Sequence, residues 1–127
     1  MEFIKIKALI FDFDGVFTNN KVLVSETGKE TVICNRSDGI GIEMLKKINI
    51  PMKIISSEPN KVVYKRAQKL KLPVAYNVKN KLSEMNSFLT LNNINIASTA
   101  YLGNDINDLD CMLEVGFPIS VSDANKK

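Results

Sequence analysis

The sequence predicts an α/β protein built on a doubly wound parallel sheet, with a β-hairpin inserted after the first strand. Short apolar runs of strand length alternate four times with segments of helical periodicity along the 127 residues. This alternation favours parallel strands joined by right-handed crossovers. It is interrupted at about residues 20–35, where two β-branched runs flank Glu26-Thr27-Gly28-Lys29, as in a hairpin. We expect a single domain over residues 1–127.

The strands of the sheet are predicted at residues 6–13, 52–55, 73–76, 99–102 and 117–121. Helices are predicted from 38 to about 48, at 61–70, at 79–91 and from about 107 to 115. Asp38 is expected to cap the first of them. Apolar residues at helical spacing predict the buried face of each helix: Ile42, Leu45 and Ile48; Val63, Ala67 and Leu70; Leu82, Met85 and Leu89; Leu109, Met112 and Leu113.

The composition excludes several classes of function. An apolar content of 45% is ordinary, no run reaches the roughly 18 residues of a membrane span, and Met1 to Lys5 does not open a signal peptide. We therefore expect a cytoplasmic protein. A net charge of +3 with dispersed basic residues gives no indication of a nucleic-acid surface. Cys34 and Cys111 lack metal-type spacing and are expected to be reduced.

The absence of histidine narrows the possible chemistry. Nucleophile activation by histidine and most zinc sites are excluded, so catalysis has to depend on Asp, Glu, Lys, Ser or Thr. The first strand ends in Asp12-Phe13-Asp14-Gly15, two carboxylates one residue apart. Alternation along a strand would place both on one side, where a cation such as Mg²⁺ would relieve their repulsion. On this stretch alone, an acidic turn that merely ends the strand is an equally good interpretation.

Polar residues also follow the later strands. They are Ser56, then Lys81 at the start of the third helix, then Asn104, Asp105 and Asp108. Each has a structural alternative: a helix cap for Ser56, a solvated side chain for Lys81, helix-dipole compensation for Asp108 and turn formation for Gly103-Asn104-Asp105. Their joint order favours a site for a phosphoryl group at the carboxyl edge of the sheet. A dinucleotide fingerprint and a Walker A loop are both absent.

Four segments match known motifs in order: Asp12-Phe13-Asp14-Gly15-Val16, Ser56 after Ile54-Ile55, Asn80-Lys81-Leu82, and Gly103-Asn104-Asp105-Ile106-Asn107-Asp108. Through them the chain resembles haloacid dehalogenase (HAD) superfamily phosphatases over nearly its whole length. The hairpin, residues 37–42 and residues 121–124 resemble the capless branch. That branch includes 3-deoxy-D-manno-octulosonate 8-phosphate phosphatases, nine-carbon sugar-acid 9-phosphate phosphatases and the C-terminal domain of some sialic acid cytidylyltransferases.

The resemblance implies a role for each candidate residue. Asp12 would be the nucleophile and Asp14 the general acid and base, while Ser56 and Lys81 would hold the phosphate. Mg²⁺ would be bound by Asp12, Asp14 and the fourth motif, from Asn104, Asp105 and Asp108. A sugar-acid phosphate would be the substrate, and its contacts would come from Gly15, Ser37, Asp38, Ser57, Glu58 and Lys69. Homotetramers formed through the hairpin are also implied.

Three departures keep alternatives open. The octulosonate enzymes usually have Thr-Gly-Arg where this chain has Ser56-Ser57-Glu58, and an acid there together with Lys69 is more similar to the nine-carbon branch. Asn104 replaces an aspartate of many active relatives, which predicts weaker Mg²⁺ binding. Relatives also continue past Asp123-Ala124 with a glycine-rich tail, so substrate closure is expected to be incomplete or to come from a partner.

The Asn104 change and the short tail leave a non-catalytic assembly module of the same fold as the alternative to an active phosphatase. A phosphate-accepting receiver domain is the third interpretation, because it shares acidic strand ends and a lysine. It is disfavoured because its acceptor aspartate follows a later strand and the hairpin has no place in it.

Overall fold

The computed structural model describes residues 6–14, 16–34, 37–103 and 106–120, without the side chains of residues 19–23, 30–34 and 37–41. Its strands in chain order are β1 (Ala8–Phe11), β2 (Thr18–Val24), β3 (Glu30–Cys34), β4 (Met52–Ile55), β5 (Val74–Ala75), β6 (Thr99–Gly103) and β7 (Phe117–Ser120). Its helices are α1 (Ser37–Lys46), α2 (Val62–Leu70), α3 (Lys81–Leu91) and α4 (Leu109–Glu114). Short 3₁₀ turns span Ile96–Ser98 and Ile106–Asp108.

Five strands form one parallel sheet in the order β5-β4-β1-β6-β7. The central strand β1 pairs with β4 on one side and with β6 on the other, so that Phe11 is level with Ile54 and with Leu102. The predicted doubly wound parallel sheet is confirmed. All four residues of β1 are buried, which explains why this strand is a continuous apolar run rather than an alternating one.

The two faces of the sheet pack against different helices. Leu9 and Phe11 belong to a cluster that includes Ile42 of α1 and Val63 of α2. Ala8 and Ile10 point the other way, into a cluster formed with residues of α3 and α4, among them Met85, Phe88 and Cys111. A helical layer on each face therefore holds β1 rigidly, together with the residues that follow it.

The predicted ends of α2 and α3 are confirmed, and the other helix boundaries differ from prediction by one or two residues. Helix α1 begins at Ser37, so Asp38 lies in its first turn and not in front of it. The helix ends at Lys46, whose ammonium donates to the carbonyls of Leu70 (2.9 Å) and Lys71 (3.0 Å) at the end of α2. Beyond α1, Ile48 is exposed and not part of the core, contrary to prediction. None of the helices in the described ranges is long and apolar enough to cross a membrane.

The buried face predicted for the last helix is correct for Met112, which packs half-buried against the core, and wrong for the two leucines. Leu109 and Leu113 are 51% and 72% exposed. The buried residues of this segment are Cys111 in the helix and Val115 just after it. The cause lies in the preceding 3₁₀ turn, where Asp108 is completely buried. Because Asp108 points inward, the residues three and seven positions later point inward too, and the leucines face outward.

The hairpin predicted at about 20–35 is confirmed, and it begins slightly earlier, at Thr18. Strands β2 and β3 pair antiparallel as a separate two-stranded sheet, with Val22 opposite Val32. In the turn, Ser25 N donates to the Lys29 carbonyl (2.9 Å), and Gly28 has φ +88°, a left-handed conformation that favours glycine. The predicted association of this hairpin with other subunits stays a prediction.

Candidate active site

Several of the predicted site residues converge because neighbouring parallel strands end at one edge. Asp12 follows β1, and its backbone N–H donates to the Leu102 carbonyl of β6 (2.9 Å). Ser56 follows β4 on the other side of β1, and its N–H donates to the Ala75 carbonyl (2.9 Å). Strand β1 ends at Phe11, before Asp12 and Asp14, so the directions of these two side chains are not set by the alternation of a strand. Phe13 between them is fully buried, and Asp14 is half-buried.

Lys81 connects two buried carboxylates. Its ammonium lies 2.9 Å from Asp12 Oδ1 and 2.8 Å from Asp108 Oδ1. Only 5% of Lys81, 4% of Asp12 and 0% of Asp108 is exposed. Asn80 caps α3 by accepting a hydrogen bond from Ser83 N (3.0 Å), and this cap fixes the helix start at Lys81. Lys81 is therefore a buried cation between two acids, and not a solvated surface lysine.

The charges of this cluster are set by burial and by contact. Burial raises the pKa of Asp12 to about 7, against the opposing positive charge of Lys81 and with help from the nearby Asp108. Burial would also raise the pKa of Asp108, but hydrogen bonds from Lys81 and Tyr101 outweigh it and the pKa is lowered. Burial acts to lower the pKa of Lys81, yet the two carboxylates outweigh it and the pKa is raised. At neutral pH Lys81 and Asp108 are ionised, while Asp12 is near its midpoint.

Two donors to Asp12 are directed at the same carboxylate oxygen. Phe13 N (2.8 Å) and Lys81 Nζ (2.9 Å) both donate to its Oδ1. The Asp12 side chain also contacts the Asp108 carboxylate. An ionised carboxylate offers about four lone-pair sites, so these contacts do not exhaust the acceptor capacity of Asp12. Oxygen donors of this kind fit a hard cation such as Mg²⁺, which commonly needs only one or two carboxylates. The predicted metal ligands Asn104 and Asp105 lie outside the described residues, as does Gly15 of the predicted substrate site.

The loop after β4 is ordered by its own polar side chains. Ser56 is buried and its Oγ accepts from Glu58 N (3.1 Å), while Glu58 Oε2 accepts from Asn60 N (3.0 Å). Ser56 is therefore not the cap of α2, which begins six residues later. Ser57 is exposed, and its Oγ accepts a hydrogen bond from Asn107 Nδ2 (2.8 Å). This bond joins the loops that flank Asp12, and the sequence did not predict it.

Two residues of the predicted substrate site are the first two residues of α1, and a third lies at the far end of α2. Helix α1 runs antiparallel to β1, so its first turn, which contains Ser37 and Asp38, lies at the same edge as Asp12; their side chains are outside the described part. Lys69 is in the last turn of α2, next to the chain segment that leads into β5. That end of an antiparallel helix lies at the opposite edge of the sheet. Lys69 therefore lies at the edge opposite Asp12 in its own chain, and its contact with the substrate stays a prediction.

Tyr101 is a site residue that the sequence analysis missed. It lies in β6, is fully buried, and its hydroxyl donates to Asp108 Oδ1 at 2.6 Å. Burial and the neighbouring Asp108 raise its pKa, so the hydroxyl stays protonated. A tyrosine within a buried apolar strand is itself a signal, because its hydroxyl needs a partner there.

Gly103 provides the space that Asp108 occupies. A Cβ at this position would lie 2.5 Å from Asp108 Oδ2 and 2.7 Å from its Cγ. We expect Gly103→Ala to lower the free energy of unfolding by about 1–3 kcal/mol, because the fixed carboxylate has to move. Urea denaturation of Gly103→Ala alone and together with Asp108→Ala tests this. The glycine substitution should cost less in the second background, and an equal cost in both would place the clash elsewhere.

The chain is similar in sequence to known proteins, although no family model matches it. Over 121 residues the chain is 32% identical to a 3-deoxy-D-manno-octulosonate 8-phosphate phosphatase from Salmonella typhi, covering 94% of this chain and 64% of that protein. Over 109 residues it is 27% identical to N-acylneuraminate cytidylyltransferase A from Danio rerio, covering 84% of this chain and 25% of that protein. The chain thus spans less than two thirds of these curated relatives.

Solved structures share the fold, at sequence identities of 39% and 28% in the two examples that follow. A HAD family hydrolase from Streptomyces avermitilis superposes with a TM-score of 0.88 and is 39% identical, covering 92% of this chain and 67% of that one. An octulosonate 8-phosphate phosphatase from Moraxella catarrhalis, solved with magnesium, phosphate and the sugar acid, has a TM-score of 0.86 at 28% identity. The superposition covers 94% of this chain and 69% of the Moraxella catarrhalis chain.

Proposed function

The chain belongs to the haloacid dehalogenase superfamily, and on this premise we propose that it is a phosphatase that hydrolyses a sugar-acid phosphate with the help of Mg²⁺. The observation that carries the proposal is the buried contact of Lys81 with Asp12 and Asp108 at the carboxyl edge of the central strand. A cation held beside an acid of raised pKa, next to a buried serine hydroxyl, suits a reaction that depends on positioning and charge stabilisation.

In the proposed reaction the ionised carboxylate of Asp12 attacks phosphorus through Oδ2. The bond from phosphorus to the sugar oxygen breaks, and that oxygen takes a proton from Asp14, which leaves a phosphorylated Asp12. Asp14 then accepts a proton from a water molecule that attacks phosphorus, which releases phosphate and restores Asp12. Lys81 offsets the negative charge of the transferring group, and Ser56 donates to one of its oxygens. Asp108 is assigned the role of holding Lys81.

The proposed Mg²⁺ would be held by Asp12, the backbone carbonyl of Asp14 and the fourth motif, from Asn104, Asp105 and Asp108. When bound, the cation supplies positive charge that screens the substrate phosphate from the carboxylates. The half-buried position of Asp14 beside Asp12 is compatible with both its roles. Gly15, Ser37, Asp38, Ser57 and Glu58 remain proposed substrate contacts, and a homotetramer through the hairpin remains the proposed assembly.

Mg²⁺ affinity is expected to rise as the pH rises through about 7, because the metal displaces the proton that burial keeps on Asp12. Below that pKa Asp12 is mostly protonated, so we expect about tenfold tighter binding at about pH 8 than at about pH 6. Isothermal titration of the protein with MgCl₂ at both pH values measures this. Asp12→Asn should remove most of the dependence, and an equal affinity at both pH values would contradict the role of Asp12.

The eight-carbon octulosonate 8-phosphate is the first candidate substrate, because the curated phosphatase relative carries that name. A nine-carbon sugar-acid 9-phosphate is the second, since Ser56-Ser57-Glu58 and not Thr-Gly-Arg follows β4. Phosphate release from both, from a hexose phosphate and from p-nitrophenyl phosphate, each with Mg²⁺ or with a chelator, tests the proposal. Metal-dependent release that favours one sugar acid supports it and identifies the substrate.

A non-catalytic assembly module is the second candidate function. It is favoured by the match to a cytidylyltransferase, of which this chain covers only a quarter. The two functions differ in a simple respect, because a module keeps its fold and its oligomeric state but releases no phosphate. A well-folded wild-type chain that is inactive on the whole panel would favour the module.

A further inference from the structure

We propose that Tyr101 is a positioning residue for phosphoryl transfer: its hydroxyl fixes the carboxylate of Asp108, which in turn holds the Lys81 ammonium against Asp12. The inference rests on the proposed phosphatase function and extends it to a residue outside the four sequence motifs. Tyr101 is not assigned a contact with the reacting atoms, since its hydroxyl donates to Asp108.

The contacts form one continuous series. The Tyr101 hydroxyl donates to Asp108 Oδ1 at 2.6 Å, and the same oxygen accepts a hydrogen bond from Lys81 Nζ at 2.8 Å. Lys81 Nζ then reaches Asp12 Oδ1 at 2.9 Å. Tyr101 and Asp108 are both fully buried, so water does not compete for these bonds. Three hydrogen bonds thus connect the middle of β6 to the proposed nucleophile.

The series constrains the most flexible member of the site. A lysine side chain loses about 2 kcal/mol of conformational freedom when it is fixed, so its position needs a rigid acceptor. Asp108 is such an acceptor, because the Tyr101 hydroxyl holds Oδ1 and the backbone of Gly103 lies against Oδ2. Without the hydroxyl, Asp108 keeps its contact with Lys81 but loses a short hydrogen bond that helps to set its orientation. Lys81 would then sample positions farther from the transferring phosphoryl group.

The expected consequence is a loss in kcat and not in substrate affinity. Tyr101→Phe keeps the ring and its packing and removes only the hydroxyl. We expect kcat for p-nitrophenyl phosphate with saturating Mg²⁺ to fall about tenfold, since a misplaced cation mainly weakens stabilisation of the transition state. KM should change less than about twofold, because Tyr101 contacts no substrate.

Thr99→Val is the matched control. Thr99 lies on the same strand, is also fully buried, and its hydroxyl donates to the Asn95 carbonyl at 3.2 Å, away from Lys81. Both substitutions remove one buried hydroxyl from β6, so both should lower the stability. Only Tyr101→Phe should lower kcat. Equal kcat values for the two variants, or a rise in KM at unchanged kcat, would overturn the proposal.

A second measurement does not depend on activity. In a double-mutant cycle of urea denaturation, Tyr101→Phe and Lys81→Met should be coupled by at least about fivefold in the unfolding equilibrium constant, although the two side chains bond only through Asp108. Thr99→Val and Lys81→Met should be additive. A wild-type chain that releases no phosphate would refute the proposed function alone. Additivity of Tyr101 and Lys81 would refute the positioning role whether or not the chain is active.

Discussion

Asp12→Asn is expected to abolish phosphate release, by at least about a hundredfold, while the protein remains folded. The amide cannot form the acyl-phosphate that the proposed mechanism needs. The free energy of unfolding should not fall at about pH 8. Burial raises the pKa of Asp12 to about 7, so at pH 8 the wild type carries the cost of a buried ionised carboxylate, and the neutral asparagine does not. Phosphate release and urea denaturation of the same sample check both expectations.

Asp14→Asn separates the nucleophile from the general acid. p-Nitrophenolate is a good leaving group that needs little protonation, so this variant should release about one equivalent of it per site in a burst and then turn over slowly. Asp12→Asn should give no burst. If Asp12→Asn recovers more than a few per cent of the wild-type rate, or shows a burst, the nucleophile is another group.

The central strands were predictable because burial on both faces leaves a direct trace in the sequence. Strand β1 is buried at all four residues and β6 at four of its five, and both were expected as apolar runs. The order of the strands followed from alternation with helices and from the handedness of crossovers. Helix starts were less certain, because local hydrogen bonds decide them, as Asn80 does by capping α3, which begins two residues after the predicted start.

The phase of α4 could not be read from its own residues. Leu109, Met112 and Leu113 form as good an apolar stripe as any helix in the chain. The helix is nevertheless rotated so that Cys111 is buried, because Asp108 enters the site at the start of this segment. A polar contact with Lys81 and Tyr101 thus outweighs the burial of two leucines. Patterns of apolar spacing do not contain this information.

The candidate site was predictable where it follows strand ends and unpredictable where it depends on side-chain reach. Asp12, Ser56 and Lys81 were placed together by the rule that ligands bind beyond the carboxyl ends of parallel strands. The burial of Lys81 was not predictable, since a lone lysine at a helix start is usually solvated. The position of Lys69 was predictable, because an α2 that runs antiparallel to the sheet carries its last turn to the opposite edge.

Lys81→Met is expected to have the largest effect on stability. Removing the cation leaves Asp12 and Asp108 buried without their shared partner, and the loss of one member of a buried ion pair typically costs about 3–5 kcal/mol. The side chain of Met is of similar length and apolar, so the packing of the lysine stem is largely kept. The cost should therefore be electrostatic and should depend on pH.

The direction of that dependence follows from the two carboxylates. In the wild type the lowered pKa of Asp108 makes its contribution present above the unfolded pKa of about 3.8, and that contribution is lost as the pH falls through the folded pKa. Without Lys81 the pKa of both acids rises, so the folded variant binds protons that the unfolded chain releases. Its stability should rise as the pH falls from about 8 to about 5.

Urea denaturation of wild type, Lys81→Met and a control at about pH 8, 6 and 5 measures the effect. The control is Lys53→Met, which removes a single partly exposed pair with Glu84 (2.9 Å) and a contact with the Phe88 ring (5.5 Å). We expect it to cost about 1 kcal/mol or less at every pH.

The cost of Lys81→Met should be largest at pH 8 and smallest at pH 5, and a variant that folds only at pH 5 agrees with this. If its cost is as flat as that of Lys53→Met, Lys81 stabilises the protein by packing, and the charged cluster around Asp12 is not what holds this edge of the sheet together.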